Sequence, residues 1–179
     1  QKCLGCPPGL SPITFGPRAV AALEKRKTPV TSWYFDLSLL RRYWSSERFY
    51  HHTAPISLVY AMREALRLVY EEGLEERFRR HQEVGEALQS GLEEMGLKLF
   101  AQEGYRAPML TTVLIPEGID DLKVRRRLLD EYSLEIGGGL GEMKGRLWRI
   151  GLMGHSCQQR NVALFLAALQ RILRDEGFR

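Results

Sequence analysis

Four consecutive residues, Tyr50, His51, His52 and Thr53, bring a phenol, two imidazoles and a hydroxyl group into one short stretch. Hydroxyl donors before a helix suit an anion such as phosphate, because the free amides of a helix N-terminus add further donors. Two neighbouring histidines on an extended stretch point to opposite sides, which disfavours a shared metal ion. The alternative is that Thr53 simply caps the helix that begins near Pro55. The residues alone leave the anion site and the cap equally open.

Lys2 is a second candidate, because it lies in a loop of small residues and turn formers that ends at Gly9. Such a loop lets a bulky ligand approach the backbone. A solvated lysine is the ordinary alternative to a covalent role. Cys3 and Cys6 form a Cys-x-x-Cys pair, but a zinc ribbon needs a second pair that the sequence lacks. No metal site is therefore predicted.

Arg149 is a third candidate, because it interrupts an otherwise apolar strand pattern. A period of two places Trp148 and Ile150 on one face and Arg149 on the other. A guanidinium on a buried strand needs a carboxylate or phosphate partner, which it binds with two parallel hydrogen bonds. That partner is either a ligand or an acidic side chain elsewhere in the chain, and both possibilities stay open.

A glycine run over 137–141 lies between two strand candidates. It can cradle a ligand or serve as a flexible loop. It lacks the Gly-Lys-Ser/Thr of a phosphate-binding loop and the strand-to-helix setting of a dinucleotide fingerprint.

The periodicity of apolar residues predicts the elements that position these candidates. Helices are predicted over 18–27, 36–44, 56–72, 74–95, 120–132 and 158–174, with Pro17 and Asp36 as start signals for the first two. Strands are predicted over 13–15, 97–100, 110–115, 134–136 and 147–150. The helix over 74–95 is expected to bury a face that includes Leu74, Phe78, Val84, Leu88 and Leu92. The last helix is expected to turn inward Val162, Phe165, Leu169 and Ile172.

The two parts of the chain differ in their predicted elements. Residues 1–73 are mostly helix and loop, with too few strands for a sheet of their own. Residues 74–179 alternate helix and strand, which is typical of a compact α/β unit. The missing sheet in the first part, and a chain that starts with Gln1, indicate a piece of a longer protein.

Composition excludes several classes of protein. The chain has 179 residues, is 44% hydrophobic and carries a net charge of +4, which fits a globular protein and not a disordered one. No apolar run approaches the ~20 residues of a membrane-spanning helix, so no membrane partner is predicted. Basic and acidic residues are interleaved, so no nucleic-acid partner is predicted either, although 41–42 and 125–127 are arginine runs. The lack of a terminal Ser-Lys-Leu favours the cytoplasm and leaves peroxisomes and mitochondria open.

Four segments in this order resemble the C-terminal half of alanine–glyoxylate / serine–pyruvate aminotransferases, which are class V pyridoxal-phosphate enzymes of fold type I. The segments are 1–9, 50–55, 135–141 and 148–154. The resemblance covers essentially the whole chain. It implies an α/β fold in which 1–73 is the remainder of the large cofactor-binding domain and 74–179 is the small C-terminal domain.

The resemblance also implies roles for single residues. Lys2 resembles the lysine that holds pyridoxal 5'-phosphate as a Schiff base, a bond that a neutral amine can form. Gln1 matches a position that faces the cofactor phosphate. Tyr50 and Thr53 match residues that reach the phosphate of the neighbouring subunit in a homodimer. Arg149 matches the arginine that grips the carboxylate of the substrate.

The activity implied is ping-pong transfer of an amino group from alanine or serine to glyoxylate or pyruvate. Family members carry further cofactor ligands upstream of the lysine, so we expect these 179 residues alone to be inactive. The alternative is a non-catalytic fragment that serves as a dimerisation or interaction module.

Overall fold

The computed structural model describes residues 1–178 and divides into two compact units. Gln1–Cys6 together with Arg63–Arg179 form one unit, which contains the β-sheet and is called the sheet unit below. Pro7–Met62 form the other, which holds short helices and loops and is called the loop unit. The domain boundary predicted after residue 73 concerns a longer protein and stays a prediction.

Two short helices, α1 (Pro17–Glu24) and α2 (Leu37–Trp44), are the regular part of the loop unit. Pro17 opens α1 at its start, where the missing amide of proline leaves no hydrogen bond unmade. Asp36 caps α2 by accepting a 2.9 Å hydrogen bond from the amide of Ser38. Both helices confirm the prediction, although α1 ends before residue 27.

The predicted strand over 13–15 is wrong. Ile13 and Phe15 are exposed, and the described part of the loop unit contains no strand with which this segment could pair. A strand is stable only when its amides and carbonyls bond to a neighbour. Apolar side chains alone therefore do not make this segment a strand.

Two long helices follow, α3 (Ile56–Glu72) and α4 (Leu74–Glu94). Gly73 separates them with a φ of 82°, in the region that glycine enters without the steric cost of a Cβ. Both helices confirm the prediction. On α4, however, Leu74 and Phe78 are exposed, whereas Arg77 and His81 lie on the buried face.

Three antiparallel strands form the sheet in the order β1–β3–β2. They are β1 (Leu110–Leu114), β2 (Gly137–Gly138) and β3 (Leu147–Gly151). β3 pairs with all of β1, and its Arg149 lies opposite Gly137 of β2.

Two predicted strands differ from this sheet. The strand over 134–136 is wrong, because pairing begins only at Gly137. The strand over 97–100 reduces to one bridge between Leu99 and Val113. Ile136 is buried in the core without joining a ladder, so its apolar character reflects burial and not pairing.

The core lies between the sheet and three helices, α4, α5 (Asp121–Tyr132) and α6 (Gln159–Asp175). Its largest fully buried side chain is Trp148 of β3. The predicted inward face of α6 is confirmed, since Val162, Phe165, Leu169 and Ile172 are all buried. Within residues 1–178, every helix is too short or too polar to cross a membrane.

Candidate active site

Lys2 is exposed and adopts a left-handed backbone with a φ of 67°. It begins a single 3₁₀ turn, Lys2–Leu4, which closes when the amide of Gly5 donates to the carbonyl of Lys2 at 2.9 Å. A residue other than glycine in this region costs on the order of 1–3 kcal/mol and persists only where its surroundings enforce it. The surroundings of this turn therefore bear on what Lys2 does.

Arg77 of α4 holds the turn from inside the sheet unit. Its Nη2 donates to the carbonyl of Cys3 at 2.9 Å. From another side, Gly154 approaches so closely that a Cβ there would lie 3.1 Å from the same carbonyl oxygen. The residue that follows Lys2 is thus fixed by a charged donor and by a tight backbone contact.

Glu72 holds Arg77 and a second arginine, Arg80. Its Oε2 accepts from Arg77 Nη1 at 2.6 Å, and its Oε1 accepts from Arg80 Nε at 2.6 Å. The hydrogen bond from Arg80, together with the charges of both guanidinium groups, lowers the pKa of Glu72 below its ordinary value of 4.5. At neutral pH one carboxylate therefore anchors two cations.

Arg80 and His81 bind the segment around Gly154. Arg80 Nη1 donates to the carbonyls of Gly154 and Cys157, at 3.0 and 2.6 Å. His81 donates from Nδ1 to the carbonyl of Arg77, which leaves Nε2 as the acceptor for the Gly154 amide at 3.1 Å. His81 is thus the neutral Nδ1–H tautomer in this arrangement.

The network of Glu72, Arg77, Arg80 and His81 was not predicted from the sequence. Its signal was polar residues at positions of α4 that share a face with Val84 and Leu88. The partners, however, lie more than seventy residues away along the chain.

Cys157, the third cysteine, is fully buried, and burial raises the pKa of its thiol. Cys3, Cys6 and Cys157 are all free thiols. Among residues 1–178, no group of three or more histidine, cysteine or acidic side chains is placed to hold a metal ion.

Arg149 lies half-buried on β3, and its Nε donates to the carbonyl of Gly138 at 2.7 Å. No carboxylate in the described part of the chain lies within 4.0 Å of its guanidinium nitrogens. The alternative of an internal ion pair is therefore not observed. With Nε bonded to backbone, the Nη edge is the part of the fork that can meet a planar anion.

The two glycines of β2 lie beside two different guanidinium groups, and the space is tighter at Gly137 than at Gly138. A Cβ on Gly137 would lie 3.1 Å from Nη2 of Arg149, and one on Gly138 would lie 3.4 Å from Arg125. Arg125 is itself held by Asp121, which also accepts from the indole of Trp148 at 2.9 Å. At Gly139 a Cβ would overlap the carbonyl of Met143. The glycine run is thus closely packed and not merely a flexible loop.

In the loop unit, the hydroxyl groups of Tyr50 and Thr53 bond to each other at 2.8 Å, and both residues are exposed. No amide of α3 donates to the Thr53 hydroxyl within the described residues. The predicted helix cap is therefore not formed by the Thr53 side chain, and the anion site stays a prediction. Gln1 is exposed and its side chain makes no capping bond.

His51 and His52 do not point to opposite sides, so that prediction is wrong. Their Nδ1 atoms lie 2.9 Å apart, and His51 Nε2 bonds to the carbonyl of Trp33 at 2.9 Å. Because a carbonyl only accepts, His51 donates from Nε2, and its neutral form accepts from His52 at Nδ1. Residues 50–55 are irregular and not extended, so side-chain alternation does not apply.

Most of the arginines in the two basic runs are paired with acids. Arg41 and Arg42 bond to Glu24 and Glu47, each at about 3 Å. In the other run, Arg127 bonds to Glu131, Asp175 and Glu176. Four of the five arginines in the two runs thus have acidic partners, and the absence of a nucleic-acid partner stays a prediction.

Comparison with known proteins identifies relatives for nearly the whole chain, although no protein-family model matches it. It is 43% identical, over 97% of its length, to the (S)-ureidoglycine–glyoxylate transaminase of Bacillus subtilis. It is 42% identical, over 98% of its length, to an alanine–glyoxylate aminotransferase of Drosophila melanogaster. These matches cover 46% and 45% of the relatives, so the chain spans about half their length.

The fold of this chain is also similar to that of a solved aminotransferase structure. The crystal structure of an alanine–glyoxylate aminotransferase from Nostoc sp. matches 97% of this chain with a TM-score of 0.90 and 52% identity. The match covers 46% of that structure. The predicted α/β fold of a fold-type I C-terminal half is therefore confirmed, and the structure adds that its sheet is small and antiparallel.

Proposed function

Since this chain corresponds to the C-terminal half of the class V, fold-type I aminotransferases of the alanine–glyoxylate group, we propose that it supplies half the active site of a pyridoxal-phosphate-dependent transaminase. The reaction moves an amino group from alanine or serine to glyoxylate or pyruvate. The observation that carries the proposal is Arg149, whose Nη edge meets no carboxylate among the described residues. A half-buried guanidinium of this kind matches the α-carboxylate of an amino or keto acid.

The chemistry of the remaining donors fits pyridoxal phosphate. The amine of Lys2 is exposed on a turn whose backbone is fixed, as a covalent anchor requires. The hydroxyl groups of Tyr50 and Thr53 lie 2.8 Å apart and share one hydrogen bond, and a bound phosphate would accept from both hydroxyls in place of that bond. Gln1 is exposed beside Lys2 and adds an amide donor.

Each residue has a separate task in the proposed reaction. When bound, pyridoxal phosphate supplies the electron sink that stabilises charge at the substrate α-carbon. Lys2 Nζ would hold the cofactor, and the free amine of the same residue would act as the base that takes the proton from the substrate α-carbon. Arg149 orients the substrate carboxylate, while Tyr50 and Thr53 bind the phosphate across the interface of a homodimer.

A transamination assay on the natural protein that carries this chain tests the proposal. With pyridoxal phosphate, alanine and glyoxylate, we expect pyruvate and glycine to form, and serine and pyruvate are tested as the second donor and acceptor. Failure to transfer an amino group with any of these pairs would contradict the proposal and favour the non-catalytic interaction module. The cytoplasmic location stays a prediction.

Replacing Tyr50 with phenylalanine is expected to weaken binding of pyridoxal phosphate. One donor to a dianionic phosphate contributes about 1.5–3 kcal/mol, so the Kd for the cofactor should rise roughly 10- to 150-fold. The Kd is measured by titrating the visible absorbance of the bound cofactor. Tyr60→Phe, on the exposed surface of α3, is the matched control and should leave the Kd unchanged. Equal Kd values in both variants would exclude Tyr50 from the phosphate site.

A further inference from the structure

We propose that Arg77 is a positioning residue for Lys2, an inference that rests on the proposed function. Arg77 touches neither the amine of Lys2 nor Arg149 through any hydrogen bond of the described residues. It acts through the carbonyl of Cys3, which belongs to the second peptide group after the residue that carries the reacting amine.

Burial and charge both strengthen the hydrogen bond from Arg77 to the carbonyl of Cys3. Arg77 is only 9% exposed, and its bond to Cys3 is charge-assisted. Glu72 fixes the other end of the same guanidinium at 2.6 Å. A side chain held at both ends loses little further freedom when it holds the carbonyl, so the carbonyl has one preferred position.

A second contact fixes the same carbonyl independently. Gly154 has a φ of 58°, and a Cβ there would approach the oxygen of Cys3 to 3.1 Å and Gly5 to 3.4 Å. Arg80 and His81 bind the backbone of Gly154, at its carbonyl and its amide. The carbonyl of Cys3 is thus held between Arg77 and a glycine that the neighbouring residues of α4 hold in place.

The restraint on the Cys3 carbonyl matters because the backbone of Lys2 is left-handed. With a φ of 67°, Lys2 would relax to an ordinary conformation if the backbone of Cys3 were free to turn. Such a turn would redirect the side chain that carries Nζ. Proton transfer requires the amine within hydrogen-bond reach of the α-carbon proton, so redirection slows the reaction without weakening the carboxylate site.

The test compares Arg77→Met with Arg79→Met in the natural protein that carries this chain, loaded with pyridoxal phosphate. Arg79 lies on the same helix, is exposed and bonds to Glu76 and Glu83, so it matches Arg77 in charge and in bonding to carboxylates, but it makes no hydrogen bond to a backbone carbonyl of the described residues. We expect kcat to fall about 10- to 100-fold in Arg77→Met, with KM for the amino acid unchanged because Arg149 is untouched. The control variant should keep the kcat of the wild type.

A spectroscopic readout separates positioning from a loss of stability. The visible band of the bound cofactor changes with pH as the linkage at Lys2 Nζ gains or loses its proton. We expect the midpoint of that change to move in Arg77→Met and to return towards the wild-type value in Arg77→Lys, which keeps a donor. A lowered melting temperature with unchanged kcat and unchanged midpoint would overturn the inference.

Gly154→Ala keeps the inference testable if Arg77→Met does not fold. The added methyl group pushes on the carbonyl of Cys3 from the other side, so the same fall in kcat and the same kind of midpoint shift are expected. Wild-type kcat and midpoint in Gly154→Ala would overturn the inference. A wild-type protein without any visible band that depends on Lys2 would instead overturn the proposed function itself.

Discussion

Replacing Arg149 with lysine is expected to raise the KM for the amino-acid substrate by roughly 10- to 150-fold. The guanidinium is anchored by its bond from Nε to Gly138, so its Nη edge is pre-oriented for a planar carboxylate. Lysine keeps the charge but loses the fork, and a hydrogen bond to a charged group contributes about 1.5–3 kcal/mol. Steady-state kinetics on the natural protein that carries this chain measure the change.

Two further variants make the Arg149 prediction specific. Arg146→Lys, an exposed position just before β3, should leave KM unchanged. Gly137→Ala places a methyl group 3.1 Å from Nη2 of Arg149 and should raise KM through displacement of the guanidinium. An unchanged KM in Arg149→Lys would remove Arg149 from the carboxylate site.

Replacing Leu169 with alanine is expected to lower the free energy of unfolding by about 2–5 kcal/mol. Leu169 of α6 is fully buried in the core that also contains Trp148, the neighbour of Arg149 on β3. Truncation removes apolar contacts and leaves a cavity, because the surrounding helices and sheet relax only in part. Denaturant unfolding of the variant and the wild type measures the difference.

Leu164→Ala is the matched control for that prediction. It changes the same residue type on the same helix, but Leu164 is 47% exposed where Leu169 is 0%. Its effect should stay within about 0.5 kcal/mol, as expected for a surface position. Equal losses at the two positions would contradict the placement of the core against this face of α6.

Long amphipathic segments were predictable from sequence, and short paired ones were not. The bounds of α3 were predicted in full, because apolar spacing and Gly73 both indicate them. The segment over 13–15 failed because alternation says nothing about whether a partner strand exists. Gly137 and Gly138 pair in the sheet although glycine has little strand propensity, and at Gly137 a Cβ would lie only 3.1 Å from Nη2 of Arg149.

The candidate site likewise contains residues that could be predicted from the sequence and residues that could not. Arg149 could be predicted from the sequence because a charge interrupts an apolar strand. The structure adds that its Nε donates to the carbonyl of Gly138. Arg77 gave a weaker signal, its place on the same face of α4 as Val84 and Leu88, because arginines in a charged helix are usually solvated. Its partner Cys3 lies far away in sequence, and only the fold brings that carbonyl to its guanidinium. The periodicity of apolar residues cannot predict a hydrogen bond between a side chain and a backbone group that lies far away in the sequence.

Covalent trapping tests whether Lys2 is the residue that holds pyridoxal phosphate. The natural protein that carries this chain is incubated with pyridoxal phosphate, reduced with borohydride, digested and analysed by mass spectrometry. We expect one modified lysine, Lys2, and loss of the label in Lys2→Ala. A label spread over exposed lysines such as Lys25, Lys98 and Lys144, or no label at all, would contradict it.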